Sequence, residues 1–275
     1  MKKIAVTGGK GGTGKSTVAT ALSIELSKKG RVLLLDLDVD CPNDHLILSV
    51  DLKKVKDVKI MMPKFDTNKC IKCGRCREVC MENAIVQVKG KYPIVVAEQC
   101  TGCRACKIAC PADAIKEDEH VIGHIFRGKG IIEMISGRLK PGIEESSLVV
   151  NAVRKYIKPI EKDYDYIIID TAAGTHCPVI AALLDADIGI AVTEPTPLGR
   201  HDVDLILELM ERLGIKSYVL LNRSDISGKK DIEKTAKKHN TKILAEIPYS
   251  KEIMKRYSEG KPIKHESIKK IAGLL

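Results

Sequence analysis

Residues 8–17 read GGKGGTGKST, and they lie between an apolar run, Ile4, Ala5 and Val6, and a stretch where Val18, Ala19, Ala21, Leu22 and Leu26 recur near helical spacing. This feature constrains the fold more than any other. A strand that enters a glycine-rich turn and leaves as a helix is half of a βαβ unit, and strands joined this way pair in parallel with both faces covered. Later segments obey the same rule: RVLLLDLDVD, YDYIIIDTAAG, DIGIAVTEPT, SYVLLNRSD and KILAEIPYS are short apolar runs that end in polar, Gly or Pro residues. Helix-like segments separate them. The expected fold class is α/β, a doubly wound and mostly parallel sheet with ligands at the carboxyl ends of its strands.

One stretch breaks this alternation. Residues 70–85 (CIKCGRCREVCMENAI) and 100–115 (CTGCRACKIACPADAI) both carry C-x2-C-x2-C-x3-C followed by x3-A-I. Two copies are too few for a solenoid and match the pattern of a two-cluster ferredoxin. The expected organisation is therefore discontinuous. Residues 1–62 and 119–275 form the P-loop domain, and residues 63–118 form an inserted small α+β domain of bacterial ferredoxin type, flanked by short strands.

In that pattern three cysteines of a run hold one [4Fe–4S] cluster and the fourth holds the other. Cluster one takes Cys70, Cys73, Cys76 and Cys110; cluster two takes Cys80, Cys100, Cys103 and Cys106. Pro111 follows the last cysteine of the second run, whereas Met81 stands at the equivalent place in the first. Gly74 and Gly102 suit tight turns around a cluster. Zinc ribbons also use paired C-x2-C, but two identical four-cysteine runs favour iron.

The glycine-rich turn has its own chemistry. Gly9, Gly14, Lys15 and Ser16 satisfy G-x4-G-K-S/T between a strand and a helix. Gly9, Gly11, Gly12, Thr13 and Gly14 let backbone N–H groups converge on phosphate oxygens, and the helix adds its positive end. Lys15 reaches the β- and γ-phosphates, the Ser16 hydroxyl ligates Mg2+, and Thr17 supports the loop. The expected cofactors are ATP, Mg2+ and two [4Fe–4S] clusters.

A second lysine, Lys10, stands inside the loop. With it the sequence resembles the deviant Walker A family, which takes in MinD, ParA, Mrp-type scaffold ATPases and the nitrogenase iron protein. The resemblance implies that Lys10 crosses a nucleotide-sandwich dimer to the partner's phosphates. DLDVDCPN resembles that family's acidic strand end. By that likeness Asp36 orients or activates the attacking water, Asp38 serves Mg2+, and Asp38 and Asp40 both stay open between Mg2+-shell, switch and structural roles. It further implies that Asp170 is the Walker B acid holding Mg2+ through water, that Gly174 follows the γ-phosphate, that Asn222 contacts the base and that Pro248 flanks the purine. Cys177 lies seven residues after Asp170, at the offset of the nitrogenase iron protein's switch cysteine, but GRLKPGIEES lacks the second cysteine a bridging cluster needs. Cys41 is expected to be a buried, inert thiol and His176 an ordinary loop residue.

The family includes ATPases with an inserted two-cluster ferredoxin, and that likeness covers essentially the whole chain. It implies an ATP-hydrolysing iron–sulfur protein in which a nucleotide-driven dimer switch gates electron transfer to a partner. The alternatives are an iron–sulfur or metal cofactor carrier or scaffold, and a MinD-like positioning ATPase of cell division. Expected partners are a second copy or a paralogous ATPase, with a redox or metallocofactor protein as client.

Composition narrows the partners further. The formal charge of +10 would suit nucleic acid or an anionic membrane. Two clusters at about −2 each leave about +6, and two Phe, seven Tyr and no Trp offer little to stack on bases. Neither nucleic acid nor membrane is expected as a partner, and HESIKKIAGLL is read as a last helix closing the sheet. No apolar run is long enough for a bilayer, the start reads as a strand rather than a leader, and a cytoplasmic location is expected. In that reducing setting ten cysteines argue against a disulfide scaffold, and the clustered ones are expected to be metal ligands or catalysts.

Overall fold

Ile4, Ala5 and Val6 are wholly inaccessible in β1 (Lys2–Thr7), as a strand covered on both faces requires. The computed structural model describes residues 1–226 and 228–275. In chain order β1 is followed by α1 (Lys15–Leu26), β2 (Val32–Leu37), α2 (Asp44–Ile47), β3 (Lys53–Phe65), α3 (Arg75–Glu78), β4 (Ile85–Val86), β5 (Ile94–Val95) and α4 (Ala105–Ile108). Next come β6 (Ile115–Lys129), β7 (Glu133–Leu139), α5 (Ser146–Ile157), β8 (Tyr166–Thr171), α6 (Cys177–Leu183) and β9 (Ile188–Thr193). The chain closes with α7 (Pro197–Arg212), β10 (Lys216–Asn222), α8 (Lys229–Lys238), β11 (Ile243–Ile247), α9 (Lys251–Ser258) and α10 (Glu266–Leu274).

Two compact units emerge: Met1–Val55 with Ile125–Arg138 and Ser146–Leu275, and Lys56–His124 with Leu139–Glu145. In the first, the strand order runs β11-β10-β9-β1-β8-β2-β7, and each of these neighbouring pairs is parallel. β6 and β3 follow β7 in the sheet order, and the residue ranges of both span the two units. The strands flanking the cysteine-rich stretch are thus not short: they run 13 and 15 residues. Pairing sets where a strand ends, and pairing leaves no mark in composition.

The first core gathers β1, α1 and the C-terminal helix. Val18, Ala19, Leu22 and Leu26 of α1 pack with Ile268, Ile271 and Ala272 of α10. Register fixes the acids. Asp36 and Asp170 are Cα partners across β2 and β8, so their side chains share one face.

The second unit has little apolar core of its own. Cys76, Ile85, Cys106 and Ile115 are its buried centre, with Phe65, Cys80 and Cys110 packed against them. Its two cysteine runs fold alike. Left-handed backbone recurs thirty residues apart at Lys72 and Gly102, Gly74 and Arg104, and Asn83 and Asp113. α3 and α4 are matching single turns, and β4 pairs antiparallel with β5.

Candidate functional site

The loop after β1 is held from several sides. Gly14 sits at φ 96°, where a Cβ would lie 2.6 Å from Asn222 Nδ2. That same amide donates to the Thr13 carbonyl at 2.8 Å, so the end of β10 clamps the loop. A Cβ on Gly9 would collide with Asp202, at 2.4 Å. The Gly174 N–H donates to the Gly8 carbonyl at 3.1 Å and ties the loop after β8 to the phosphate loop.

Lys15 is 6% exposed and donates to the Lys10 carbonyl at 3.1 Å. Burial lowers its pKa, against the opposing pull of Asp170 and Asp38. A cleft of about 1460 Å³, open to solvent, is lined here by Gly12, Gly14, Lys15, Ser16, Thr17 and Asp38 on the loop side. Asn222, Pro248 and Tyr249 line it on the other. Lys10 turns toward Glu194 of its own chain, 3.7 Å away, and Arg223 reaches the other oxygen of that carboxylate at 2.6 Å.

The acids divide into two groups. Asp38 lines the cleft, and burial raises its pKa against the Cys41 N–H and Lys15. Asp36, the residue expected to handle water, is 1% exposed and is not among the residues lining the cleft. It lies with Asp170 and Asp44, their oxygens within 4.8 Å of one another. Burial, then the charge of Asp170, pushes Asp36 and Asp44 well above the usual carboxylate range. Burial also lifts Asp170, to about 7, although Ser16 hydrogen-bonds to it and Lys15 opposes the shift. Ser16, Asp38 and Asp170 offer hard oxygen donors that suit Mg2+.

Sequence reasoning missed Asp44. Its only signal was a further acid in DLDVDCPND, where it reads as an ordinary first-turn acid of a short helix. Asp40 proves to be a bracket: both its oxygens accept from the Ser146 hydroxyl, at 2.8 Å, where α5 begins. Cys41 is exposed, not buried as expected, because it sits in the turn beyond β2 rather than in the strand. Cys177 and His176 are exposed too.

The eight repeat cysteines line two hollows in the second unit. One is bordered by Cys70, Cys73, Cys76 and Cys110. The other is bordered by Cys80, Cys100, Cys103 and Cys106. Each hollow takes three cysteines from one run and one from the other. Burial raises the thiol pKa of Cys76 and Cys100 and carries Cys106 to about 11, so these sulfurs become thiolates only beside positive charge. Backbone N–H groups of Arg77, Gly102 and Lys107 hydrogen-bond to Cys76, Cys100 and Cys106 and oppose that rise, as donors that favour the anionic sulfur.

Residues 4–263 match the family model described as the CobQ/CobB/MinD/ParA nucleotide-binding domain. The chain belongs to that family. It carries a P-loop nucleotide-binding domain of the MinD/ParA type. An uncharacterized protein of Methanocaldococcus jannaschii is 36% identical over 264 residues, covering 94% of this chain and 90% of the relative. An iron–sulfur cluster carrier protein of Pyrococcus horikoshii is 25% identical over 277 residues, covering 95% and 78%. Among solved structures, the cell division ATPase MinD of Pyrococcus furiosus superposes with a TM-score of 0.60 at 21% identity, covering 99% and 97% of the two chains. MinD of Pyrococcus horikoshii, solved with Mg-ADP, gives 0.59 at 21% identity and 98% and 94% coverage. These likenesses establish an α/β fold with a mostly parallel central sheet. Among the described residues no helix is long and apolar enough to cross a membrane.

Proposed function

We propose that the chain binds and hydrolyses ATP with Mg2+, and that residues 63–118 form a ferredoxin-like insert holding two [4Fe–4S] clusters whose electrons pass to a partner under nucleotide control. The observation that carries the iron–sulfur part is the crossed composition of the two hollows, three cysteines from one run and one from the other. That is the ligand exchange typical of paired clusters. The donor set fits: thiols lining a hollow, in loops whose amides favour an anionic group. Bound clusters would supply one-electron transfer. The protein holds the thiolates, limits solvent and sets the potential.

At the nucleotide, Lys15 and the loop amides grip the phosphates while Ser16 and Asp170 serve Mg2+. Asp38, not Asp36, orients the attacking water in this reading, since Asp38 lines the cleft and Asp36 is closed off from it. The water oxygen bonds to the γ-phosphorus as the bond to the β–γ bridging oxygen breaks. Gly174, tied to Gly8, relays loss of the γ-phosphate. Lys10 must leave Glu194 to act on a partner protomer, a second copy or a paralogous chain. Asn222 and Pro248, which line the cleft, contact the base in this reading. A redox or metallocofactor protein is the client in this account, and the setting is cytoplasmic.

A second reading has one observation in its favour. The 25%-identical relative is an iron–sulfur cluster carrier protein, and Cys73 and Cys103 are exposed here. Both readings are separated by purifying the chain without oxygen, counting iron and challenging with chelator in ADP and in MgATP. Eight irons held throughout, with a potential that shifts with nucleotide, support gated transfer. Iron lost only during turnover supports a carrier.

A further inference from the structure

Asp36 and Asp44 are the members of the buried acid group that the nucleotide reading leaves unused. Asp36, Asp44 and Asp170 are each no more than 1% exposed. Each presents a carboxylate oxygen within 4.8 Å of the others. Both Asp44 oxygens, Asp36 Oδ1 and Asp170 Oδ1 have no hydrogen-bond partner among the described residues. The one bond inside the group runs from the Asp44 N–H to Asp36 Oδ2, at 3.3 Å. It joins α2 to β2 and leaves each of the three acids with at least one unpartnered oxygen.

Such a group is not stable as it stands. Isolated buried carboxylates are costly, and three at one point repel as well. Protons satisfy oxygens in pairs, but three sealed carboxylates, each with an unpartnered oxygen and each with an oxygen near the others, suit a cation better. The oxygens, no more than 4.8 Å apart, are on the scale of one coordination shell, since oxygens on opposite sides of an octahedral Mg2+ lie about 4.2 Å apart. The fold also builds the group from rigid parts. Asp36 and Asp170 are register partners on parallel strands, and Asp44 is the first residue of α2. Nothing in it depends on a nucleotide.

We propose that Asp36, Asp44 and Asp170 form a divalent-cation site that fills without nucleotide and gives the chain a resident Mg2+ or Mn2+ beside the phosphate loop. The ion borne by ATP meets Ser16 and the Asp170 carboxylate to which that serine is hydrogen-bonded; the resident ion is held by the chain alone, takes the unpartnered Asp170 Oδ1 and neutralises the acids behind the serine. This site does not rest on the ATPase or iron–sulfur readings, and it can fail or stand without them.

The test uses the full chain stripped of nucleotide and offered Mn2+ alone, with bound metal counted after equilibrium dialysis and melting followed in parallel. The expected result is one tightly held Mn2+ per chain, a melting temperature raised by Mn2+, and affinity lowered about tenfold or more in Asp44→Asn, which keeps the side-chain size but removes a charged ligand. Should Asp44→Asn fail to fold, Asp44→Glu carries the comparison, with a smaller loss expected. No Mn2+ bound by the wild-type chain without nucleotide overturns the site. So does equal affinity in the Asp44 variants. Asp44→Asn that melts higher than wild type and ignores Mn2+ also overturns it, and assigns the group to shared protons.

Discussion

Asp38 and Asp36 are two residues apart, yet the structure gives them different surroundings. Both point to the same side by strand alternation, but β2 ends at Leu37, so Asp38 emerges into the cleft while Asp36 stays inside. Asp38→Asn is therefore expected to lower kcat for ATP about a hundredfold or more while nucleotide affinity is kept, read by steady-state turnover beside equilibrium nucleotide binding. Equal losses in both would make Asp38 a binding group. Tyr164 gives a second residue-scale prediction. Burial, then its hydrogen bond to Glu133 at 2.8 Å, pushes the phenol from 10.0 up to about 12. The protonated phenol is the form the fold prefers, so its contribution is complete below about pH 10 and is lost as pH rises through about 12. Denaturant unfolding of wild type and Tyr164→Phe across that window should show the wild type losing stability faster. Parallel curves would refute the assignment.

At the scale of elements, the ends of strands and helices carry the function. α7 starts cleanly because Thr196 Oγ1 accepts from the Gly199 N–H at 3.0 Å, and Pro197 fills the first turn, where no N–H is needed. Gly199 is required on packing grounds, since a Cβ there would lie 2.2 Å from the Glu194 carbonyl. The cap thus also steadies the segment bearing Glu194, the carboxylate that Lys10 and Arg223 share. Thr196→Ala should cost about 1 kcal/mol, and a drop in melting temperature of about 2–4 °C would register it. An unchanged melt would mean that packing, not the cap, fixes this end. The cysteine loops follow the same logic in duplicate. Their three left-handed positions recur at the thirty-residue period, and two of them in each run are occupied by residues other than glycine. Tertiary context, rather than glycine alone, holds those turns.

At the scale of the whole molecule the two units draw on different sources of stability. The first buries a continuous apolar core across a parallel sheet and its helices. The second has cysteines at its centre, clustered with the buried Ile85 and Ile115. Under the proposed function, this small domain draws its stability from the clusters its thiols would hold. Stripping metal with a chelator under reducing conditions should therefore release amide protection in residues 56–124 while the sheet of the first unit stays protected, as followed by hydrogen exchange. Uniform loss of protection, or none, would contradict this.

How far the sequence reaches differs from site to site. Strand, glycine loop and helix were legible because the loop's residues are chosen by backbone geometry that only glycine meets cheaply, and apolar runs mark buried parallel strands whatever lies beside them. The thirty-residue cysteine period was legible because ligand spacing is local. Asp44 was not, because an acid in a helical first turn is ordinary until the fold closes β2, α2 and β8 around it. The exposure of Cys41, the bracket made by Asp40 and the pairing of Lys10 with Glu194 belong with it, since each joins residues far apart in the chain or depends on where a turn points. The chain by itself determined the α/β class, the phosphate loop and the doubled cysteine pattern, all written in neighbouring residues. Only the tertiary structure decided which carboxylates are sealed in and which face the cleft, because burial and charge proximity depend on contacts that no local spacing encodes.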